Sequence, residues 1–577
     1  MTKKYSLSKC RKIYKESVLR HKQLAKKLSS ERIAEFDKIL DALEEAIRAE
    51  NIDASRLHAF EMEQFLQEHG KKTLFEKIRE FTFAILIALL IAAIVRQMWF
   101  ELYEIPTGSM RATFRENDRV LVFKDTFCIN KPFETAHFLF EPEYVKRGSI
   151  VVVTGDGLDL PDVDTVYFGL FPGKRRYVKR SVAKDGDKIY FYGGRLYGLD
   201  KEGKPLSMLL EDPLFDALEY IPFISFEGKV DQEGSDFILR HMNLPVAAVS
   251  LSQNGRISGK MVAPFSDFGK TFGMDNFAMS RLIAPTDSSN SDAVLYLELK
   301  HNPTLPTGLF NTNSLLDCQF STIALTREHC KKLQDALYTA RFYTRKGIAY
   351  RYTPEGPDLK GRGVMIDPNI PDGCYEFIDG KAYEIGWGSY ASELPPTHPI
   401  YPKTVKMLKA LYNSGIDFSS STNSAKKQAY FPSRYAYFRD GALYTMAKPI
   451  FEKDDPLLAK FVQSEMAKGV KGFIDHGAPS SDEIKAYGLQ IPESHYLLLG
   501  DNHAMSNDSR FFGPVPQKNL QGSPALTFWP PGERWGRPPQ PELPFFRQSR
   551  LIVVSSGILL IWIAVSIYNW RTRRKRS

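Results

Sequence analysis

Two uncharged apolar stretches, one near each end of the chain, constrain this sequence more than any other feature. Leu551 to Trp570 runs twenty residues without a charge, the length a helix needs to cross about 30 Å of hydrocarbon. Phe81 to Val95 is fifteen residues long and runs on through Arg96, Gln97, Met98, Trp99 and Phe100. It spans a bilayer only if the Arg96 head reaches the interface, where Trp99 and Phe100 are also favoured; the alternative is a buried core helix. Eighty residues precede it, which argues against a cleaved leader.

The flanking charges agree on one orientation. Lys71, Lys72, Lys77 and Arg79 lie just before the first stretch, and Arg571, Arg573, Arg574, Lys575 and Arg576 just after the second. Positive flanks stay on the cytoplasmic side, so both termini are expected inside and the 450 residues from Glu101 to Arg550 outside. A mean hydropathy of −0.29 excludes a polytopic transporter. Five cysteines (Cys10, Cys128, Cys318, Cys330, Cys374) without a CxxC pair exclude a disulfide-stapled scaffold and a four-cysteine zinc ribbon. The net charge of +9 is modest for 577 residues, and no nucleic-acid partner is expected.

Residues 1–74 are highly charged, and Ile33, Phe36, Leu40, Leu43 and Ile47 recur at spacings of three and four, one apolar stripe of a helix. A solvated helical hairpin in the cytoplasm is expected there. From Tyr103 the texture changes to short apolar runs broken by Gly, Pro and Asp: VLVF at 120–123, SIVVVT at 149–154, and DKIYFYGGRLYGL at 187–199, which reads as a hairpin around Gly-Gly. FYGGRLYGL at 191–199, FIDGKAYEI at 377–385 and FRDGALYTM at 438–446 share one turn pattern, which repeated turn chemistry explains as well as duplication does. The fold class expected is mainly β, an antiparallel catalytic domain with a helical cytoplasmic segment and two transmembrane helices. The segments are 1–74, helix 75–100, catalytic parts 101–200 and 431–545 around an insert at 201–430, helix 551–570 and a basic tail at 571–577.

Three short runs carry candidate chemistry. Ser109 sits in EIPTGSMRATF, just beyond the first apolar segment, where nearby Pro and Gly favour a tight turn. It lacks the GxSxG elbow, and none of the eleven histidines has a triad context. The base can instead be a lysine. Lys179, in YVKRSVAKDGDKI, lies on a strand-like run; a free amine titrates near about 10.4, and burial can lower that by about 3–5 units. Lys184 is a rival five residues on, expected on the opposite face of a continuous strand. The third run, LLLGDNHAMSNDSRFFGPVP at 497–516, reads as a hydrogen-bonded loop in which Ser506 can orient an amine and Asp508 or Asp501 can pair with Arg510. The acidic loop with Asp156, Asp159, Asp162 and Asp164 does not match calcium-loop spacing, and no metal or cofactor is expected.

Together these runs resemble the bacterial type I signal peptidases, membrane-bound Ser/Lys proteases that remove signal peptides from exported preproteins. The family's (S/T)GSMxPT is here Thr107 to Thr113, its YxKRxxGxPGD is YVKRSVAKDGD at 177–187, and its GDNRxxSxDSRxxG is GDNHAMSNDSRFFG at 500–513. RGSIVVV at 147–153 and GPVPQKNLQGSPALTFWPPGERWG at 513–536 are similar to further strands of the family. The resemblance covers about 81–200 and 435–536. It implies Ser109 as nucleophile and Lys179 as general base, with the Ser109 N–H and the Thr107 hydroxyl as oxyanion hole. Ser506 would hold the amine, braced by Asp508, Arg510, Arg180 and Asp501. It also implies preprotein substrates with small residues one and three positions before the cut, a lipid bilayer as the surface on which the β domain lies, and the outer face of a bacterial inner membrane as its place.

Ala112 stands where Pro is usual, Ala183 and Asp185 replace Gly and Pro, and His503 replaces Arg. None of these removes a proposed catalytic group. The long insert resembles that of chlamydial-type enzymes. A non-catalytic anchored binding protein for exported chains and a hydrolase of another acyl bond are the competing expectations.

Overall fold

The computed structural model describes residues 5–573 except 26–27, 70–73, 133, 159, 161–162, 168–170, 222–228, 234–235, 242–243, 252–256, 262–275, 286–291, 302–318, 354, 362, 415–433 and 470–471. Cys318, Asp159, Asp162 and most of the PTDSSNSD stretch at 285–292 therefore lie outside the described residues. The chain divides into two compact units, Met1–Arg96 with Arg550–Ser577, and Gln97–Ser549.

The first unit is helical. The hairpin expected at 1–74 is instead three helices: α1 (Leu7–Leu24), α2 (Ser30–Arg48) and α3 (Ile52–His69). The physical reason is a second apolar stripe in α1. Cys10, Ile13, Tyr14 and Val18, again at three- and four-residue spacing, close over Phe36 and Leu43 of α2 and Ala59, Met62 and Phe65 of α3. α4 (Leu74–Met98) is 25 residues long, and α5 (Gln548–Arg573) is 26. Both expose large apolar side chains, among them Phe81, Phe83, Leu86 and Leu89 of α4 and Leu551, Ile558, Leu559 and Trp562 of α5. The expectation of two spans is not met as stated: among the described residues no helix is long and apolar enough to cross a membrane. Parts of both stretches, including side chains at 84, 87–88, 90–91 and 563–565, lie outside those residues.

The second unit is mainly antiparallel β. The sheet that carries Lys179 has seven strands, β1 (Phe100–Glu104), β2 (Arg119–Phe123), β3 (Ile150–Thr154), β4 (Arg176–Lys184), β5 (His495–Leu499), β6 (Val515–Pro516) and β7 (Leu520–Trp529), in the order β1-β2-β7-β3-β4-β5-β6. The unbroken apolar run of β3 reflects burial on both faces. Ile150 and Val152 join a cluster with Met110, Phe114 and Val120, while Val151 and Val153 join another with Phe127, Leu498 and Leu520.

All three runs of repeated turn chemistry fold as hairpins: Lys188–Tyr192 with Arg195–Leu199, Gly373–Ile378 with Lys381–Ile385, and Tyr435–Arg439 with Ala442–Thr445. Their central pairs, Gly193-Gly194, Asp379-Gly380 and Asp440-Gly441, all have positive φ, the two-residue turn whose twist matches that of the strands. Between the two stretches of chain that form this sheet, further sheets build around their own core, with Leu297, Leu325, Phe377, Tyr412 and Phe438 buried together. Strand Phe277–Ile283 pairs with Tyr435–Arg439, so this core takes chain from both sides of residue 430.

Candidate functional site

Gly108–Met110 forms one 3-10 turn after Thr107, whose backbone is still extended. Met110 is buried in the sheet core and its carbonyl accepts from the Phe114 N–H at 2.8 Å, which pins the turn while Ser109 stays half-buried. The Thr107 hydroxyl makes no capping bond to the turn.

β4 brings the amine. Lys179 pairs with Val151 of β3, is 3% exposed, and places Nζ 3.0 Å from Ser109 Oγ. Burial pushes its pKa down to about 8; the Arg510 charge acts in the same direction and the Asp508 and Asp501 carboxylates oppose it. Lys184 is half-exposed at the end of the strand, its N–H donating to Asp187. Simple alternation does not carry from 179 to 184, because the pairing of β4 with β5 shifts register between Ser181 and Ala183. Arg147 grips the same Asp187 with two donors, at 2.8 and 2.6 Å.

The loop after β5 closes on both of these elements. Gly500 donates to Asp508 Oδ2 at 2.9 Å, and Asn502 holds the Ser109 turn directly, N–H to the Ser109 carbonyl and Nδ2 to the Gly108 carbonyl, each at 3.1 Å. A Cβ at Gly500 would lie 2.2 Å from Ser506 Oγ and 2.5 Å from the Ser109 carbonyl oxygen, so only glycine permits this approach. Ser506 is buried and its Oγ makes no hydrogen bond among the described residues.

The two acidic side chains take different arginines. Asp508 receives Arg510 at 2.9 Å on each oxygen, whereas Asp501 receives Arg180 at 2.7 Å on each. The alternatives left open by the sequence thus resolve into Asp508–Arg510 and Asp501–Arg180. Burial works to raise the Asp508 pKa, but Arg510 and the Gly500 N–H outweigh it and hold the carboxyl below its ordinary value. Thr113, from the end of the serine run, ties the two halves by donating to Asp501. Neither Asn502 nor Thr113 carries a local signature of this role, since one grips the backbone of a distant turn and the other the carboxylate of a distant loop. His503 lies with Nε2 3.1 Å from Glu219 Oε2; burial lowers its pKa and Glu219 opposes that. Nothing in the sequence marked Glu219.

A serine hydroxyl within reach of a buried amine titrating near neutrality can be deprotonated for attack on an acyl carbon. Among the described residues no group of His, Cys, Asp and Glu is placed to hold a metal ion.

Residues 78–216 and 439–529 match the family model described as "Signal peptidase, peptidase S26". The chain is 32% identical over 141 residues to Signal peptidase I of Rickettsia typhi (strain ATCC VR-144 / Wilmington), covering 23% of this chain and 46% of that protein. Over 172 residues it is 26% identical to Signal peptidase I of Haemophilus influenzae (strain ATCC 51907 / DSM 11121 / KW20 / Rd), covering 26% and 47% respectively. Over 41 residues it is 46% identical to the Mitochondrial ATP-independent inner membrane protease subunit 1a of Arabidopsis thaliana, covering 7% and 24%. The chain thus spans less than half the length of these relatives, and the likeness falls on the segments that build the site.

Proposed function

We propose that this chain, a relative of the type I signal peptidases, is itself a signal peptidase: a serine endopeptidase that removes N-terminal signal peptides from exported preproteins. The observation that carries the reading is the 3.0 Å approach of the buried Lys179 amine to Ser109 Oγ. Ser109 attacks the scissile carbonyl and Lys179 takes its proton. The Ser109 N–H and the Thr107 hydroxyl receive the developing oxyanion, since that hydroxyl is not engaged in capping the turn. Ser506, whose buried Oγ makes no hydrogen bond among the described residues, is the acceptor that would orient the amine as substrate binds. Asp508–Arg510 and Asp501–Arg180 hold the loop that grips the nucleophile turn.

The substrates are preproteins with small residues one and three positions before the cut. The enzyme is anchored in a bacterial inner membrane by the segments around 81–100 and 551–570, with the β unit on the outer face and both termini cytoplasmic. The exposed apolar side chains of α4 and α5 and the basic flanks support this placement.

The test is cleavage of an Ala-x-Ala preprotein by detergent-solubilised protein, with Ser109→Ala beside it. Cutting after the second Ala by the wild type alone supports the reading, as does retention in membranes after alkaline extraction. Binding without cutting favours the anchored binding protein instead. The pH dependence follows from the site. Below about 8 the amine is protonated and cannot accept, so kcat is expected to rise with pH and level off above that value. A profile flat from pH 6 to 9 would exclude Lys179 as the base.

A further inference from the structure

We propose that Glu376, from the chain between the two catalytic segments, is a positioning residue for the nucleophile turn, acting through Arg111 and Glu116. This rests on the peptidase reading of Ser109. Glu376 is fully buried on the strand Gly373–Ile378 and lies 265 residues from Arg111 in sequence. Its carboxylate accepts from Arg111 Nη2 at 2.7 Å, Arg115 Nη1 at 3.0 Å and Arg341 Nε at 3.2 Å. Arg111 also donates from Nε to Glu116 Oε2 at 3.0 Å, and Arg341 reaches the Glu116 carbonyl.

The other end of the array rests on the turn itself. A Cβ at Gly108 would lie 2.7 Å from Glu116 Oε1 and 2.9 Å from Arg111 Nε, so these side chains are in contact with the backbone just before Ser109. Charges withdrawn from water persist only when paired in close geometry, so the place of each is tied to that of the others. A proline after Arg111 would restrict the chain by its ring; this sequence has Ala112 there and clasps Arg111 from the insert instead. Two further bonds seat the insert beside it, Asn117 Nδ2 to Ser389 Oγ at 2.8 Å and Trp529 Nε1 to the Gly388 carbonyl at 2.9 Å.

The experiment compares full-length wild type, Glu376→Gln, Arg111→Ala, the double variant and Ser389→Ala in the preprotein assay. Labelling of Ser109 by a serine-directed phosphonylating probe is followed in parallel. Glu376→Gln is expected to lower kcat and the labelling rate at least about tenfold, with KM and the pH midpoint unchanged, as misplacement of a reacting group does. The double variant is expected to be no worse than Arg111→Ala, because both act on one path, and Ser389→Ala to stay within about twofold of wild type. Undiminished kcat in Glu376→Gln, or losses that multiply in the double variant, would overturn the proposal. If Glu376→Gln does not accumulate, Glu376→Asp, which keeps the charge but falls a methylene short, is read in the same way. A wild type that is labelled at Ser109 yet leaves the preprotein uncut refutes the peptidase reading, while the labelling rates still decide the role of Glu376.

Discussion

Lys179→Arg is expected to abolish preprotein cleavage, with a loss on the order of 10⁴-fold or more in kcat, as for other members of a nucleophile–base pair. The argument is one of protonation, not of shape. Arginine keeps the positive charge and much of the length of lysine, but a guanidinium stays protonated throughout the accessible range and cannot accept the Ser109 proton. The native amine is different because burial brings its pKa to about 8, so a useful fraction is neutral near physiological pH. Single-turnover cleavage at pH 9, where the wild-type amine is free, separates this from a mere shift of the pH profile. Normal turnover by Lys179→Arg would move the base elsewhere, with Lys184 the first rival to test.

Asp508→Ala is expected to cost about 3–5 kcal/mol of stability, the usual consequence of leaving a buried ion without its partner. Asp508 is fully buried and Arg510 is 4% exposed. Removing the carboxylate leaves that guanidinium without its counter-charge and the Gly500 N–H without its acceptor, which loosens the loop that holds Ser109. A change in the urea midpoint at constant slope measures the first effect. The second appears in whatever activity remains. The Asp508 charge opposes the burial that depresses the Lys179 pKa, so its loss should move the midpoint of the pH profile below about 8. A variant as stable as the wild type would show that the bonds Arg510 already makes to the His503, Ser506 and Ile221 carbonyls suffice to hold it.

Much of the site could be read from the chain because its chemistry is local. The serine turn, the lysine strand and the GDN loop each lie within about a dozen residues, and each carries its own turn or strand pattern. The pairing of carboxylates with arginines could not be read that way. Asp501 and Asp508 sit in one loop, and only the packing of β4 against β5 brings Arg180 to the first and leaves Arg510 to the second. The three helices of the first unit show the same limit on a smaller scale: the apolar stripe of α2 is a local pattern, but its closure by α1 is set by packing.

By itself the sequence determined where strands and hairpins begin and which short runs carry candidate chemistry, since period-two alternation and Asp-Gly turns are properties of neighbouring residues. Only the tertiary structure decided what surrounds Ser109. Burial brings the Lys179 amine pKa down to about 8, and Glu376 reaches Arg111 across 265 residues of chain. Burial and long-range ion pairing are set by the packing of distant segments, and no local pattern encodes which segment will arrive.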